Sequence, residues 1–499
     1  MSVHTHTVCE RTIERRVRGA TSMEPTGPVA VDLFSGAGGL AEGLLKAGVQ
    51  VAASIELHPQ PALSHAFNHP ETRVLAGDIR NLEAAKLDAA IRSRAGRAPV
   101  DVVVGGPPCQ GFSSAGKKSV TDPRNSLFRH YVRVVEHLKP RMFLLENVPG
   151  FKSMYGGAVY AEALEAMHNL GYTTVDRIIH VKDLGVPQRR RRFVMVGWLP
   201  GAADPYEWPP ITHAEVGGTA GLFDDLVEPL VTAGDALDDL SFLDPGYEAT
   251  GYVDASISKF ALDRRGSNTT LFNHLATRHR RKSADIIRRI AVGGSIRDIP
   301  VAERGTKKLT MRKLDPDAIS NTVVALPDDI LHYSQARILT VREMARLQSF
   351  DDDFVFLGKR TSGFVERRVD VPQYTQVGNA VPPLFAEALG RALVKSLGSV
   401  PGDLRNLELR RDRHKLVCGT SGFAGYELTP DAVNEIELTA VGGSLLPLPI
   451  SEEAIPVLEQ KPLRDWTSDA NPRRGQWAPG VVAAEVPSWQ SQPRGDTDH

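Results

Sequence analysis

The sequence predicts an α/β protein built on a doubly wound parallel β-sheet, with a smaller domain inserted into it. From Val29 to about Trp198, short β-branched runs alternate with helical patterns, as in βαβ units. Between about residues 199 and 310 this alternation stops, and Pro/Gly-rich, acidic and basic stretches replace it. The candidate strands are Val29–Phe34, Val49–Ile55, Val100–Val104, Met142–Leu145 and Phe193–Val196, with a further strand before Asp78.

Helical patterns return after the insert. Thr340 and Glu343 have the spacing of a capping box, and a helix over about Leu384–Leu397 would close the sheet domain. Beyond Leu446, prolines recur too often for regular structure. We therefore expect four parts: a flexible N-terminal tail (1–27), a sheet domain (28–199, completed by 370–400), an inserted domain with its connecting helix (200–369), and a C-terminal extension of unknown role (401–499).

Composition is that of a globular protein, with 41% hydrophobic and 24% charged residues in 499. The three cysteines, Cys9, Cys109 and Cys418, lack metal-site or disulfide spacing, which suits a reducing cytoplasm. We expect no signal peptide and no membrane partner, because the N-terminus is polar and no apolar run could span a bilayer. The net charge is −1, so any nucleic-acid contact needs a local basic cluster such as Arg278–Lys282.

A glycine-rich loop, Asp32–Leu40, follows the first strand and opens a helix, which is typical of a cofactor site. Gly36 and Gly38 with Ala41 satisfy a relaxed dinucleotide pattern, and Glu56 lies where such folds bind a ribose hydroxyl. A nicotinamide enzyme therefore stays open from this loop alone. Asp78, after the third strand, is either an acceptor for an adenine amino group or an exposed turn residue.

A lone cysteine, Cys109, follows a valine run, two glycines and two prolines. The run predicts a buried strand, and ligands bind beyond the carboxyl ends of such strands. Pro107 and Pro108 would hold the thiol on a rigid segment. The alternative is a buried structural cysteine.

Several motifs occur together in one order along the chain. They are Phe34–Gly39, Pro107–Gln110, Glu146–Val148, Gln188–Arg192, Arg337–Gln348 and Gln376–Pro383. In sequence and order they resemble the DNA (cytosine-5) methyltransferase family, of the bacterial modification type, over about Val29–Val394 apart from the insert. The resemblance implies a class I S-adenosylmethionine-dependent methyltransferase (Rossmann-like) sheet, with the insert as a target-recognition domain.

The resemblance also implies the catalytic residues. Cys109 would add to C6 of cytosine, and Glu146 would contact ring nitrogen 3. Arg190 and Arg192 would hold the base and the catalytic groups in register, whereas Arg189 and Arg191 are interpreted as solvated. A helix-capping role is the alternative for Glu146.

The implied cofactor is S-adenosyl-L-methionine. Phe34, Gly36 and Gly38 would line its site and Glu56 would bind the ribose. Asp78 and Ile79 would contact the adenine, and Leu127 and Asn379 would complete the pocket. The sequence departs from the family at His58, where an aspartate is frequent.

The implied partner is double-stranded DNA, whose target cytosine would be flipped out of the helix while the loop Gly111–Ser119 closes behind it. We expect a monomeric, cytoplasmic, nucleoid-associated bacterial modification enzyme, with a cognate restriction endonuclease acting separately. Two alternatives remain: a branch of the family that methylates transfer RNA, which has a smaller insert, and a catalytically silent DNA- or cofactor-binding regulator.

Overall fold

A computed structural model of the chain describes residues 10–18, 27–96, 100–108, 127–215, 227–253, 257–361, 370–399, 409–418, 426–428, 438–441 and 481–483. Cys109 and the loop 111–119 lie outside these residues. Among those described, no helix is both long and apolar enough to cross a membrane. Nor do the described His, Cys, Asp and Glu side chains form a group of three or more that could hold a metal ion.

The central sheet confirms the predicted doubly wound α/β fold. Its strands are β1 (Val29–Leu33), β2 (Gln50–Glu56), β3 (Arg73–Ala76), β4 (Val102–Gly105), β5 (Met142–Asn147), β6 (Thr173–His180) and β7 (Arg191–Trp198). Their spatial order is β3-β2-β1-β4-β5-β7-β6, with β1 to β5 parallel. The winding reverses between β1 and β4, which is where ligands bind in such sheets.

One edge of the sheet differs from the all-parallel prediction. β7 runs antiparallel to both β5 and β6. The connection from β6 to β7 holds only a short 3₁₀ turn, Val181–Leu184, and a parallel crossover needs a dozen or more residues. The two strands therefore form a hairpin-like pair, and the first residues of β7 lie at the same edge as the carboxyl end of β5.

Helices cover both faces of the sheet. α1 (Gly39–Lys46) and α11 (Pro383–Ser396) pack on one face, and the predicted closing helix is thereby confirmed. The other face is covered by α3 (Ala84–Ala95), α4 (Leu127–Leu138) and α5 (Ala158–Asn169). A smaller apolar cluster contains residues of α2 (Pro59–Asn68). Because side chains alternate along a strand, each valine-rich strand contributes apolar side chains to the clusters on both faces of the sheet.

The region between the sheet strands and α11 has an apolar core of its own. It contains α6 (Ala233–Leu237), α7 (Lys259–Arg265), α8 (Arg281–Arg289), α9 (Val341–Leu347) and α10 (Gln373–Asn379). The capping box at the start of α9 is confirmed: Glu343 Oε2 accepts from the Thr340 amide at 2.7 Å, and Thr340 Oγ1 accepts from the Glu343 amide. Glu343 also pairs with the buried Arg337.

Strands from the C-terminal extension pair with three other parts of the chain. Leu409–Cys418 pairs antiparallel with Glu10–Arg18, so those nine residues form a strand where a flexible tail was expected. β8 (Leu438–Ala440) lies parallel to β3 at the edge of the central sheet. Val481–Ala483 pairs with Tyr247–Ala249, although the proline-rich sequence predicted no regular structure there. Such a short strand depends little on its own amino-acid sequence, because its hydrogen bonds to a neighbouring strand hold it in place.

Candidate active site

An ion pair marks the carboxyl edge of the sheet beyond β4 and β5. Glu146, near the end of β5, lies with its Oε1 2.6 Å from Nε of Arg192 at the start of β7. Both side chains are largely buried, with exposed fractions of 10% and 14%. The two side chains form a close ion pair from which water is largely excluded, although Glu146 Oε1 accepts no hydrogen bond from any described residue. The predicted residues Glu146 and Arg192 are thus brought together.

The segment that leads to Cys109 is fixed against the same strand. Asn147 Nδ2 donates to the Pro107 carbonyl oxygen at 3.0 Å, and Gly106 lies against Glu146. A β-carbon at position 106 would stand 2.9 Å from Glu146 Oε2, so a side chain there would displace the carboxylate. The described chain stops at Pro108, one residue before Cys109. The role predicted for Cys109 stays a prediction.

Arg190 is bound to backbone carbonyl oxygens, and the role predicted for it in holding the base and the catalytic groups stays a prediction. Its guanidinium is buried and donates to the backbone carbonyl oxygens of Val323, Gly378 and Ala380 at 2.9–3.2 Å. These bonds tie the residue before β7 to Val323 and to the end of α10. The neighbouring Arg189 and Arg191 are exposed, as expected for solvated side chains.

The glycine-rich loop after β1 is joined to the end of β2 through one carboxylate. Glu56 Oε2 accepts from the Gly36 amide and Oε1 accepts from the His58 amide, each at 2.9 Å. Burial raises the pKa of the Glu56 carboxyl above its ordinary value, although those amide donors act in the opposite direction. Phe34, Gly36 and Gly38 all have positive φ, which shapes the loop into a tight turn.

Three predicted apolar residues belong to, or pack against, one core cluster on a face of the sheet. Ile79 is buried in the core cluster on one face of the sheet, and Phe34 and Leu127 pack against the same cluster. Asp78 precedes Ile79 and accepts from the amide and side chain of Arg80. The hydrogen bond from Arg80 lowers the pKa of the Asp78 carboxyl, so the group stays ionised at neutral pH.

Asn379 lies near the same region, although it is distant from the glycine-rich loop in sequence. It is the last residue of α10 and is exposed. The residues that follow it pack on the cofactor loop: a β-carbon at Gly39 would lie 2.4 Å from the Val381 carbonyl oxygen and 3.3 Å from Ala380 Cβ. The structure thus brings the predicted residues Phe34, Gly36, Glu56, Ile79, Leu127 and Asn379 to one edge of the sheet.

Comparison with known proteins identifies this arrangement. A family model described as C-5 cytosine-specific DNA methylase matches residues 29–395. The chain belongs to this family. It is 34% identical over 370 residues to the Type II methyltransferase M1.HphI of Haemophilus parahaemolyticus, which covers 73% of this chain and 86% of that protein. It is 32% identical over 421 residues to the Type II methyltransferase M.XorII of Xanthomonas oryzae pv. oryzae, with 82% and 92% covered.

A solved structure supports the same assignment of fold. A crystal structure assigned as a DNA modification methyltransferase encoded within an E. coli prophage aligns with 75% of this chain and 100% of its own. Its TM-score is 0.58 and its sequence identity 25%. The protein is thus a DNA (cytosine-5) methyltransferase, and the fold predicted from its motifs is confirmed.

The methylase offers the groups that an S-adenosylmethionine molecule needs. Space is open at Gly36, where a β-carbon would meet nothing within 4 Å. Glu56 Oε1 and Oε2 each accept one backbone amide and so retain acceptor capacity that suits hydroxyl groups, whereas both oxygens of Asp78 already accept hydrogen bonds from the amide and guanidinium of Arg80. Phe34, Ile79 and Leu127 supply an apolar wall. The chemistry of these side chains therefore fits the cofactor that methyltransferases of this family use.

The sequence assigns no individual role to Asn147, Gly106, Gln188 or Leu57, although the first three lie within the segments that carry its motifs. Asn147 and Gly106 fix the segment before Cys109, and Leu57, directly after Glu56, is 45% exposed. Gln188 is fully buried and bonds Leu347, Gln348 and the Val323 amide. The sequence shows that Leu57 follows Glu56, but it contains neither the exposure of Leu57 nor the partners of Gln188.

Proposed function

We propose that this methylase transfers a methyl group from S-adenosylmethionine to C5 of a cytosine flipped out of duplex DNA, while Cys109 is transiently bonded to C6. The observation that carries the proposal is the Glu146–Arg192 pair. It stands at the carboxyl edge of the sheet, beside the fixed segment that precedes Cys109 and along the same edge as Glu56 and Asp78.

The chemistry requires a nucleophile because C5 of cytosine is too electron-poor to attack a methyl donor. The Cys109 thiolate would form a bond to C6, and the electrons of the C5–C6 double bond would move toward C5 and the ring. When bound, S-adenosylmethionine supplies an electrophilic methyl group on a sulfonium. C5 would take that methyl group as the methyl–sulfur bond breaks, which leaves the donor sulfur as a neutral thioether. Transfer of the C5 proton to water and breakage of the sulfur–C6 bond would then restore the aromatic ring and the thiolate.

Glu146 and Arg192 would act on the cytosine ring from the side opposite to Cys109. Glu146, in its protonated form, would donate a hydrogen bond to ring nitrogen 3 and so stabilise the negative charge that addition of the thiolate pushes into the ring. Arg192 supplies positive charge beside that carboxyl group. Arg190 would act one step further away, by holding the segment of Asn379 against β7.

On the cofactor side, Glu56 would accept from the ribose hydroxyls and Asp78 from the adenine amino group. Phe34, Ile79 and Leu127, with the exposed Leu57, would enclose the adenine ring. Asn379 would close the pocket from α10. The amide of Gly36 is already held by Glu56, which keeps the glycine loop in its turn before a ligand binds.

Duplex DNA would bind across the inserted domain. Arg280, Arg281 and Lys282 are exposed, and His279 between them and the core accepts from the Ile338 amide at 3.2 Å. An anchored basic segment suits contact with phosphates, which positions an enzyme on the helix. Extrusion of the base costs a few kcal/mol, repaid by contacts in the pocket. The family relatives are Type II methyltransferases, so we propose a bacterial modification enzyme that works beside a restriction endonuclease, in the cytoplasm.

Methyl transfer from labelled S-adenosylmethionine tests the proposal. Purified protein should label duplex DNA but not transfer RNA, and bisulfite sequencing should place the methyl group on one cytosine of a short repeated sequence. Cys109→Ala should abolish labelling and leave cofactor binding unchanged. Label in transfer RNA alone, or cofactor binding without any DNA label, would contradict the proposal.

A further inference from the structure

The C-terminal extension lies beyond residue 395, where the match to the family ends. Nothing in the proposed chemistry uses it. Its strand β8 nevertheless adds to the central sheet, with Leu438, Thr439 and Ala440 paired to Val74, Leu75 and Ala76. Because β8 is parallel to β3, its carboxyl end lies at the same edge of the sheet as the cofactor residues.

The residue directly after β8 contacts the loop that carries Asp78. The Val441 amide donates to the Ala76 carbonyl oxygen at 3.0 Å, and Val441 is 4% exposed. It belongs to the same apolar cluster as Ile79, against which Phe34 and Leu127 pack. Val441 therefore shares an apolar cluster with residues of the proposed cofactor site.

Gly77 lies between Val441 and the ribose acceptor. Its amide donates to the Glu56 carbonyl oxygen at 2.8 Å, and its φ is +142°. A β-carbon at Gly77 would stand 2.9 Å from the Val441 carbonyl oxygen and 3.0 Å from Val441 Cβ. The turn between β3 and Asp78 is thus enclosed by β2 on one side and by the extension on the other.

We propose that the C-terminal extension completes the cofactor site, and that Val441 is a positioning residue for the turn Gly77–Asp78. Without it, β3 would be an edge strand and the carbonyl of Ala76 would lose its partner. The turn would then sample other conformations, and Asp78 would spend less time where an adenine amino group can reach it. This inference rests on the proposed cofactor site.

Binding of S-adenosylmethionine to the full chain tests this role by calorimetry. Val441→Ala removes the side-chain contact and keeps the amide bond to Ala76, and it should raise Kd about fivefold or more. In turnover, KM for the cofactor should rise in parallel, with kcat and KM for DNA nearly unchanged. Val441→Thr keeps the shape of the side chain and should hold Kd within about twofold of wild type, even where stability falls.

Val100→Ala is the matched control. Val100 is 2% exposed in the same cluster but precedes β4, at the opposite edge of the sheet from the cofactor residues. It should lower the unfolding temperature as Val441→Ala does, yet leave Kd within about twofold. Equal effects of the two alanine variants on Kd, or no effect of Val441→Ala, would overturn the proposal.

Amide hydrogen exchange separates this inference from the proposed function. Exchange at Gly77–Asn81 should be faster in Val441→Ala than in Val100→Ala, with no ligand present. If wild-type protein bound no S-adenosylmethionine while this exchange difference held, the proposed cofactor would be wrong and the positioning role of Val441 would stand. Equal exchange in the two variants would overturn the positioning role.

Discussion

Arg192 and Glu146 face each other across two neighbouring strands that run in opposite directions, with 2.6 Å between Nε and Oε1. Only an antiparallel β7 can bring its first residues to the carboxyl end of β5. The hairpin of β6 and β7 therefore places a cation beside the acid that is proposed to contact the cytosine ring.

Glu146→Gln should lower kcat by about 100-fold or more, since an amide replaces the carboxyl group that is proposed to stabilise negative charge in the cytosine ring. The amide has the same shape, so Kd for S-adenosylmethionine should stay at the wild-type value. Single-turnover methylation and calorimetry measure the two quantities. A kcat within a few-fold of wild type would remove Glu146 from the catalytic residues.

Arg190→Met should destabilise the fold by about 2–4 kcal/mol, because it removes the guanidinium donor from the buried carbonyl oxygens of Val323 and Gly378 and one of the two donors to Ala380. Arg189→Met is the control: Arg189 is exposed, so the same substitution one position earlier should change the free energy of unfolding by less than about 0.5 kcal/mol. Urea unfolding measures both. Similar small losses would show that the carbonyl contacts of Arg190 add little.

Affinity for S-adenosylmethionine should fall as the pH is lowered from 8 to 5. Burial raises the pKa of the Glu56 carboxyl, so it takes up a proton at a higher pH than an ordinary glutamate and loses an acceptor for the ribose. Asp78 adds no slope there, because its pKa is lowered by Arg80. Calorimetry across this range should show that binding favours the ionised form.

Two variants test whether the Glu56 carboxyl causes that pH dependence of binding. Glu56→Gln should bind more weakly at every pH and lose the slope that the carboxyl causes. His58→Asn should keep the slope and move it to higher pH, since the backbone amide of residue 58 still binds Glu56 while the charge of the His58 side chain, which lowers the pKa of the Glu56 carboxyl, is removed. A slope that survives in Glu56→Gln would place the titrating group elsewhere.

Arg281→Gln and Lys282→Gln should each weaken duplex binding at every sequence and lower the salt slope, log Kd against log[salt], by about 1. Both side chains are exposed at the start of α8. Fluorescence anisotropy at several salt concentrations gives this slope. An altered recognition sequence with an unchanged slope would mean that these residues read bases instead of phosphates.

The sequence predicted those features that depend on local pattern. The valine run before Gly105 predicted a buried strand, and the glycine-rich turn Phe34–Gly38 predicted the edge of the sheet where a ligand binds. Both predictions were possible because each pattern lies in consecutive residues. The contacts of Arg190 with residues 133 and 188 positions away carry no such local pattern. The same holds for Val441: a three-residue strand in an irregular extension acquires its structure only from β3.

Duplex DNA with 5-fluorocytosine at the target position provides the most direct test of the proposed mechanism. Fluorine cannot leave as a proton does, so the bond between sulfur and C6 should persist after methyl transfer. Mass spectrometry should find one methylated DNA strand attached to the Cys109 peptide, and none with Cys109→Ala. Full methylation of ordinary DNA without an adduct at Cys109 on the fluorinated duplex would contradict the covalent mechanism.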